Sequence, residues 1–273
     1  MLEVLSKMPR DENGQHPIKR IAVASSMSIY GEGEYVDADG HSFSPDLRSH
    51  EQLANRDWEL FEGKDHLKPV PTSEKKLLQP ASIYAVNKRD HEEMFLSVGR
   101  AIGIPTAAMR LFNIYGSRQA LSNPYTGVAA IFISRLLNDQ PPLVFEDGEQ
   151  RRDFVHVSDI ANAFATFLDS DKRIWDVFNV GSGQAITVNQ IAHTLARLLG
   201  KNIAPEILQK YRVGDIRHCF ADISKINTVL GFEPQRDFEE GMAELVEWVR
   251  SAKKPVDRSA ASLAELDKSK LVV

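Results

Sequence analysis

Short apolar runs that end in small residues alternate with stretches of helical length, and this alternation restricts the fold more than anything else in the chain. Ile21-Ala22-Val23-Ala24-Ser25-Ser26 is the first such run and reads as a buried strand closed by two hydroxyls. A helix is expected over about 82–101, with Gly103 just past its end as a stop signal. A strand follows at 106–112, then a helix at 128–138, short strands at 143–145 and 153–157, and a helix from Ser158 to about Leu168. Val177 to Val180 is the next strand, ended by Gly181-Ser182-Gly183. Thr187 and Gln190 have capping-box spacing ahead of a helix that stops before Gly200. Asp237 and Glu240 repeat the signal ahead of a helix over 242–249. Strands alternating with helices imply an α/β fold with parallel strands. Two stretches break the rhythm. Leu2, Val4, Leu5 and Met8 form a short helical segment at the start, and residues 31–79 are polar and irregular. The latter reads as a long insert with one short helix near 53–61, and loops of that length are usually functional or mobile.

Composition excludes several classes of function. With 273 residues, 42% of them hydrophobic, the chain can bury one large core or two small ones. The net charge is −5 and the Lys and Arg residues are scattered, so nucleic acid is not an expected partner. Cys219 is the single cysteine, which rules out a disulfide framework and a thiolate metal cluster and fits a reducing cytoplasm. No apolar run approaches the roughly 20 residues that cross a bilayer, and Met1 to Arg10 does not read as a signal peptide. His41, His50 and His66 are widely spaced and read as solvated loop residues without acidic or thiol company, so no metal is expected.

Tyr84 and Lys88 stand four apart on the expected helix and therefore share a face. A phenol, with a pKa near about 10, is a poor base at neutral pH, and an adjacent ammonium favours its phenolate. The pair could thus move a proton. Spacing alone is a weak signal and favours an ordinary surface pair. Ser25 and Ser26 add weight, because ligands in open α/β sheets sit at the carboxyl ends of the strands. A plain turn also favours serine there.

Six collinear motifs resemble the extended short-chain dehydrogenases/reductases, the NAD-dependent epimerase/dehydratase family. They are Ser25-Ser26-Met27-Ser28-Ile29-Tyr30-Gly31, Tyr84-x-x-x-Lys88, Arg110-Leu111-Phe112-Asn113-Ile114-Tyr115-Gly116, Arg151-Arg152-Asp153-Phe154-Val155-His156-Val157-Ser158-Asp159, Phe178-Asn179-Val180-Gly181-Ser182-Gly183 and Gly214-Asp215-Ile216-Arg217-His218. The resemblance runs from Ile18 to about Arg250. It implies an incomplete Rossmann-like, doubly wound parallel sheet with a smaller C-terminal α/β substrate-binding lobe. The parts would be a catalytic part at 1–142 holding the insert 31–79, a mainly substrate-binding lobe at 143–252 whose strands return to the sheet, and a tail at 253–273.

The resemblance also implies roles. Tyr84 would be the general base, Lys88 would tune it and bind the nicotinamide ribose of NAD, and Ser26 would hold the reacting sugar hydroxyl. Ala24, Ser25 and Phe112 would lie against the cofactor. Ser28, Asn113, Arg152, Arg212 and Asp215 would contact a nucleotide-diphosphate sugar, the arginines because a planar fork suits phosphate oxygens. His156 is read as structural. The stretch Ser117 to Gly127, with the insert after Tyr30, is most similar to the dTDP-L-rhamnose and UDP-glucose 4-epimerase branch. The implied activity is therefore nucleotide-sugar 4-epimerisation with bound NAD. Alternatives are a reductase, a dehydratase, or a non-catalytic remnant that binds a nucleotide sugar or a protein. Dehydratases of the family carry an acidic pair beside the serine, where this chain has Met27 and Ser28. A homodimer through the Tyr84 helix is also implied.

One expected motif is missing. A dinucleotide site needs a glycine-rich turn that opens a helix onto the pyrophosphate, and neither G-x-G-x-x-G nor G-x-x-G-x-x-G occurs in this sequence. Gly31-Glu32-Gly33 fails at Val36 and Gly181-Ser182-Gly183 at Ile186. Twenty residues precede Ile21, fewer than the roughly 30 of a βαβ unit. The family's first strands and adenosine pocket are accordingly expected to be absent, leaving the Ile21 strand at a sheet edge.

Overall fold

In the computed structural model, which describes residues 1–120, 127–212 and 214–251, the chain opens with helix α1 (Leu2–Lys7) and strand β1 (Ile21–Ser26). The insert carries β2 (Glu34–Val36), β3 (Ser42–Phe43), α2 (His50–Ala54), β4 (Phe61–Glu62), β5 (Asp65–His66) and β6 (Lys68–Val70). Next come α3 (Ile83–Ile102), β7 (Thr106–Leu111), β8 (Asn113–Tyr115) and α4 (Val128–Leu137). The remainder comprises β9 (Leu143–Val144), β10 (Arg151–Arg152), β11 (Phe154–His156), α5 (Val157–Asp169), β12 (Trp175–Val180), β13 (Ile186–Thr187), α6 (Val188–Leu199), β14 (Glu206–Ile207), β15 (His218–Cys219), α7 (Ser224–Leu230) and α8 (Phe238–Ser251).

The central sheet has the order β1-β7-β12 and is parallel throughout, so each connection is a crossover that carries helices. Its middle strand is apolar on both faces, as a sheet covered on both sides requires. Ala108 faces a core with Ile21, Val23 and Ile104, backed by Phe95 and Leu96 of α3. Ala107 and Met109 face the other way, into a core with Ala163 and Phe167 of α5, Phe178, Val180 and Ile226. Helix and strand approach closely at Gly99, where an added Cβ would lie 1.9 Å from Thr106 Oγ1. Strand β1 occupies an edge of this sheet, and Ala24 in its middle is exposed.

The stop and start signals act as expected. Gly103 and Gly200 end α3 and α6 in the left-handed region, at φ 77° and 68°. Thr187 and Gln190 form a reciprocal capping box, and the Asp237 carboxylate accepts the amides of Glu239 and Glu240. A third core joins α4, α6 and α8 through Phe132, Ile133, Leu136, Ile191, Leu195, Met242, Leu245 and Val246. Helix α4 thus packs with the C-terminal elements although it precedes residue 143.

The insert is more ordered than its composition suggests. Its helix is earlier and shorter than expected: Ser49 caps α2 by accepting the Gln52 amide, and Arg56 at φ 58° ends it. Trp58 and Leu60, expected on that helix, instead enter two small cores. The strands of the insert are two or three residues long, too short to display a period. Residues 252–273, which contain the expected tail, lie outside the described residues.

Candidate active site

Lys88 of α3 reaches the backbone of β1, the strand that ends in Ser26. Ser82 caps α3 by accepting the Ala85 amide at 3.1 Å, which puts Tyr84 in the first helical turn and Lys88 one turn later. Lys88 Nζ donates to the Ala24 carbonyl at 2.8 Å and lies 5.8 Å from the centre of the Tyr84 ring. The lysine therefore ties the helix to the strand two residues before Ser26. Tyr84 is 57% exposed, in contrast to buried Tyr30 and Tyr115.

Ser26 caps the short 3-10 turn formed by residues 27–30. Its Oγ accepts the Ser28 amide at 3.2 Å and the Ser28 hydroxyl at 3.0 Å. A hydroxyl has two lone pairs and one proton. Both lone pairs are used, so what Ser26 offers a ligand is a hydrogen-bond donor.

Ser25 turns into the protein. Its side chain is buried and donates to Glu92 Oε2 at 2.8 Å, so its hydroxyl points into the protein and only its backbone faces the strand edge. Glu92 also holds Arg110, whose Nη2 and Nε donate to the two carboxylate oxygens at 2.5 and 3.1 Å. Arg110 Nη1 reaches the Tyr30 hydroxyl at 2.9 Å, and that hydroxyl donates to Asn179 Oδ1 at 2.7 Å. Burial pushes the Tyr30 phenol above its ordinary range, against the attraction of Arg110. The chain Ser25–Glu92–Arg110–Tyr30–Asn179 thus forms a buried polar floor that fixes β1, α3, the turn, β7 and β12 to one another. Sequence reasoning missed Glu92, although it stands four residues beyond Lys88 on the same helical face.

Phe112 is buried in the core beneath the sheet end. Asn113 donates its amide to the Asp153 carbonyl at 2.9 Å, while its buried Oδ1 has no partner among the described residues. Asp153 is wholly buried. Its carboxylate accepts the amides of Ser182, Gly183 and Ala221 at 2.7, 2.9 and 3.2 Å, and the Ser182 hydroxyl at 2.7 Å. Burial nevertheless raises its pKa, those hydrogen bonds opposing the shift. A Cβ on Gly181 would lie 2.5 Å from Asp153 Oδ2, so the glycine is there for close approach. Gly181-Ser182-Gly183 resembles a phosphate loop only in writing, since its amides are filled from within.

The remaining candidates cluster around residues 215–218. Arg152 donates to the carbonyls of Ile216 at 2.6 Å and Arg217 at 2.8 Å. Exposed Arg212 pairs with Asp215 at 2.7 Å and lies 4.9 Å over the Phe145 ring. Asp215 therefore engages the arginine rather than standing alone. The Ser117 to Gly127 stretch lies mostly outside the described residues, which resume at Gly127. His156 caps α5 by accepting the Ser158 amide. His50 bonds to the Tyr211 hydroxyl at 2.8 Å, and His66 packs on Phe61. His41, expected to lack acidic neighbours, has two: ligand atoms of Asp37, Asp39 and His41 all lie within 4.8 Å of one another. Both acids stand just ahead of His41 in the sequence, and the loop turns back on itself to bring the three together. Its Asp37 carboxylate is occupied by the amides of Asp39 and His41. Among the described residues no helix is long and apolar enough to cross a membrane.

A family model described as GDP-mannose 4,6 dehydratase matches residues 63–245. The dTDP-L-rhamnose 4-epimerase of Burkholderia thailandensis is 34% identical over 233 residues, which are 85% of this chain and 63% of that enzyme. The UDP-N-acetylglucosamine 4-epimerase of Methanobrevibacter ruminantium, solved with UDP-N-acetylmuramic acid, superimposes with a TM-score of 0.68 at 31% identity. That match covers 86% of this chain and 64% of the other. The UDP-glucose 4-epimerase of Thermus thermophilus, solved with NAD, gives a TM-score of 0.66 at 25% identity, covering 92% of this chain and 68% of that one. The chain thus spans slightly under two thirds of the length of the first two. Sheet order, Tyr-Lys helix, serine turn and family match agree: this chain belongs to the extended short-chain dehydrogenases/reductases, in the family of the nucleotide-sugar epimerases and dehydratases.

Proposed function

We propose that this chain carries the catalytic centre of a nucleotide-sugar 4-epimerase acting on a dTDP-L-rhamnose or UDP-hexose type of substrate. The observation that carries the reading is the complementary pair at the end of β1. Ser26, which accepts from Ser28, has its own proton to give a ligand, and Tyr84 stands exposed beside a lysine that is bonded to the same strand. A sugar hydroxyl between them accepts from Ser26 through its oxygen and gives its proton to Tyr84. As charge develops on that oxygen, the Ser26 hydrogen bond strengthens, and the Lys88 ammonium favours the phenolate form of Tyr84.

The residues fit the nicotinamide end of NAD. Ala24 offers an exposed backbone with only a methyl group, and Tyr84 and Lys88 stand beside it. NAD, when bound, supplies reversible hydride acceptance at the sugar C4, so that the net reaction is an isomerisation. Asn113, with its unpartnered buried oxygen, Arg152, Arg212 and Asp215 are the proposed ligands of the nucleotide diphosphate. The activities named for the relatives support this reading.

The serine turn favours epimerisation over dehydration. Elimination of water needs an additional acid and base near the sugar, whereas Met27 is buried and Ser28 is spent on Ser26. The test is conversion of dTDP-L-rhamnose or UDP-hexoses in the presence of NAD. Tyr84→Phe is expected to lower kcat by roughly 10²–10⁴-fold, with KM little changed. Full activity in that variant refutes the role of Tyr84. Nucleotide-sugar binding with no turnover by the unaltered protein refutes the enzymatic reading in favour of a binding module.

A further inference from the structure

Glu32 has no part in the proposed chemistry, yet it lies two residues beyond Tyr30 in the loop that leaves the serine turn. It is 1% exposed. Its carboxylate accepts the Arg217 amide at 2.7 and 2.8 Å on its two oxygens, and the His218 amide at 3.3 Å. The Tyr35 hydroxyl also donates to it at 3.3 Å, and Arg48 Nε lies 3.8 Å away. The carbonyls of residues 216 and 217 belong to the same two trans peptide units as those amides and so point away from Glu32. Those of Ile216 and Arg217 receive the two terminal nitrogens of Arg152, and that of Asp215 receives Arg48 Nη2 at 3.1 Å. The approach is close because Gly33 allows it: the Gly33 amide donates to the His218 carbonyl at 2.8 Å, where a Cβ would sit 2.6 Å from that oxygen.

We propose that Glu32 is a positioning residue for substrate: by holding the amides of residues 217 and 218 it aims the carbonyls of residues 216 and 217, which share those peptide units, and through them the Arg152 fork, at the nucleotide diphosphate. This rests on the reading of Arg152 as a diphosphate ligand. A peptide segment held on one side alone can rotate about its own axis. Held on both, it presents Arg152 at a fixed height above the sheet end where Ser26 and Tyr84 act. Glu32 thereby sets the distance between the part that grips the diphosphate and the part that reacts with the sugar. Its action is on affinity, not on the proton transfer.

The experiment is isothermal calorimetry on the full chain with UDP and dTDP as probes, comparing Glu32→Gln, Arg152→Gln and the double variant. A glutamine keeps the size of the side chain but removes its charge and replaces one of the two oxygens facing the Arg217 amide with an NH₂, setting donor against donor. Glu32→Gln is expected to raise Kd by about tenfold. On the Arg152→Gln background the same change is expected to add less than about twofold, because its effect travels through the arginine. In turnover assays it is expected to raise KM and leave kcat unchanged. Equal Kd values for the unaltered chain and Glu32→Gln overturn the inference, as does a full, additive loss in the double variant. Failure of the unaltered chain to bind either nucleotide refutes the site reading itself, and this inference with it. Should Glu32→Gln not purify folded, Glu32→Asp carries the test, keeping the charge but withdrawing it by one methylene.

Discussion

Replacing Arg110 by Met is expected to be among the most damaging single changes outside the reacting residues. The arginine is buried and closes both oxygens of Glu92, the Tyr30 hydroxyl and the Glu74 carbonyl. Methionine fills most of the aliphatic volume but supplies no donor. Glu92 is then left as a buried carboxylate with Ser25 as its remaining partner. Breaking a buried pair by removing one member costs about 3–5 kcal/mol, because the other charge stays desolvated. At roughly 2–4 °C per kcal/mol for a chain of this size class, Tm should fall by roughly 6–20 °C. The double variant Arg110→Met, Glu92→Leu removes both charges and should recover about 1–3 kcal/mol relative to the sum of the single changes. Differential scanning calorimetry or circular-dichroism melting of the four proteins completes the cycle. An Arg110→Met protein that melts within 2 °C or so of the parent, or a double variant whose loss equals the sum, would refute the reasoning.

Two further outcomes follow from close packing and from acid titration. Gly99→Ala drives a methyl group into Thr106 Oγ1 where α3 meets β7, and should destabilise by about 1–3 kcal/mol, read as a lowered urea midpoint. A Gly99→Ala, Thr106→Ala double variant should recover most of that loss. The protein should also lose stability in acid in two steps. The His218 ring is held below the ordinary histidine pKa, chiefly by burial, and the Glu59 carboxyl is held at about 2, chiefly by the His218 hydrogen bond. In both cases the unfolded chain takes up protons more readily than the folded one, so their stabilisation is present at neutral pH and is lost as pH falls. The histidine contribution begins to fade below about pH 6.5, and that of Glu59 between about pH 4.5 and 2. Melting temperature followed against pH checks this. A Glu59→Gln variant should lose the lower step alone, and a variant with an unchanged profile there would exclude Glu59 as its source.

The parts of this fold that were legible in the sequence are those governed by local rules. Gly103 and Gly200 announce helix ends through a backbone conformation that other residues avoid, and Thr187 with Gln190 announces a start through two hydrogen bonds within one turn. The β1 and β7 runs are long enough, and apolar enough, to be read alone. Tyr84 and Lys88 were legible because helix geometry alone puts them on one face. Glu92 obeys the same rule and could have been added, but a carboxylate there reads as a solvated helix surface until the buried Arg110 is known to meet it. The insert was misread for the opposite reason. Runs of two or three residues carry no period of their own, and β2 is placed between its neighbour β3 and the more distant β6, which pairs Tyr35 with Pro69. Ser25 and Ser26 read alike in the sequence, as two hydroxyls closing one strand. Alternation along β1 turns Ser25 inward, opposite Ser26. Asp153 was likewise quoted within a motif without its purpose, which becomes visible only when three loops converge on it.

The charged contact between insert and lobe limits how this chain can be rebuilt. Arg48 closes both oxygens of Glu146, and Glu59 meets Arg217, which also reaches Asp147 and Glu146. Trimming residues 31–79 down to a tight hairpin would look on paper like the removal of a decoration. It would strip Glu146 of Arg48 and Arg217 of Glu59 in one stroke and uncover Tyr211, which packs against Leu53 and Trp58. A workable shortened version would need the facing charges neutralised and that aromatic patch made polar at the same time. Swapping inserts between relatives would succeed only when each travels with its matching acidic and basic residues from the far side.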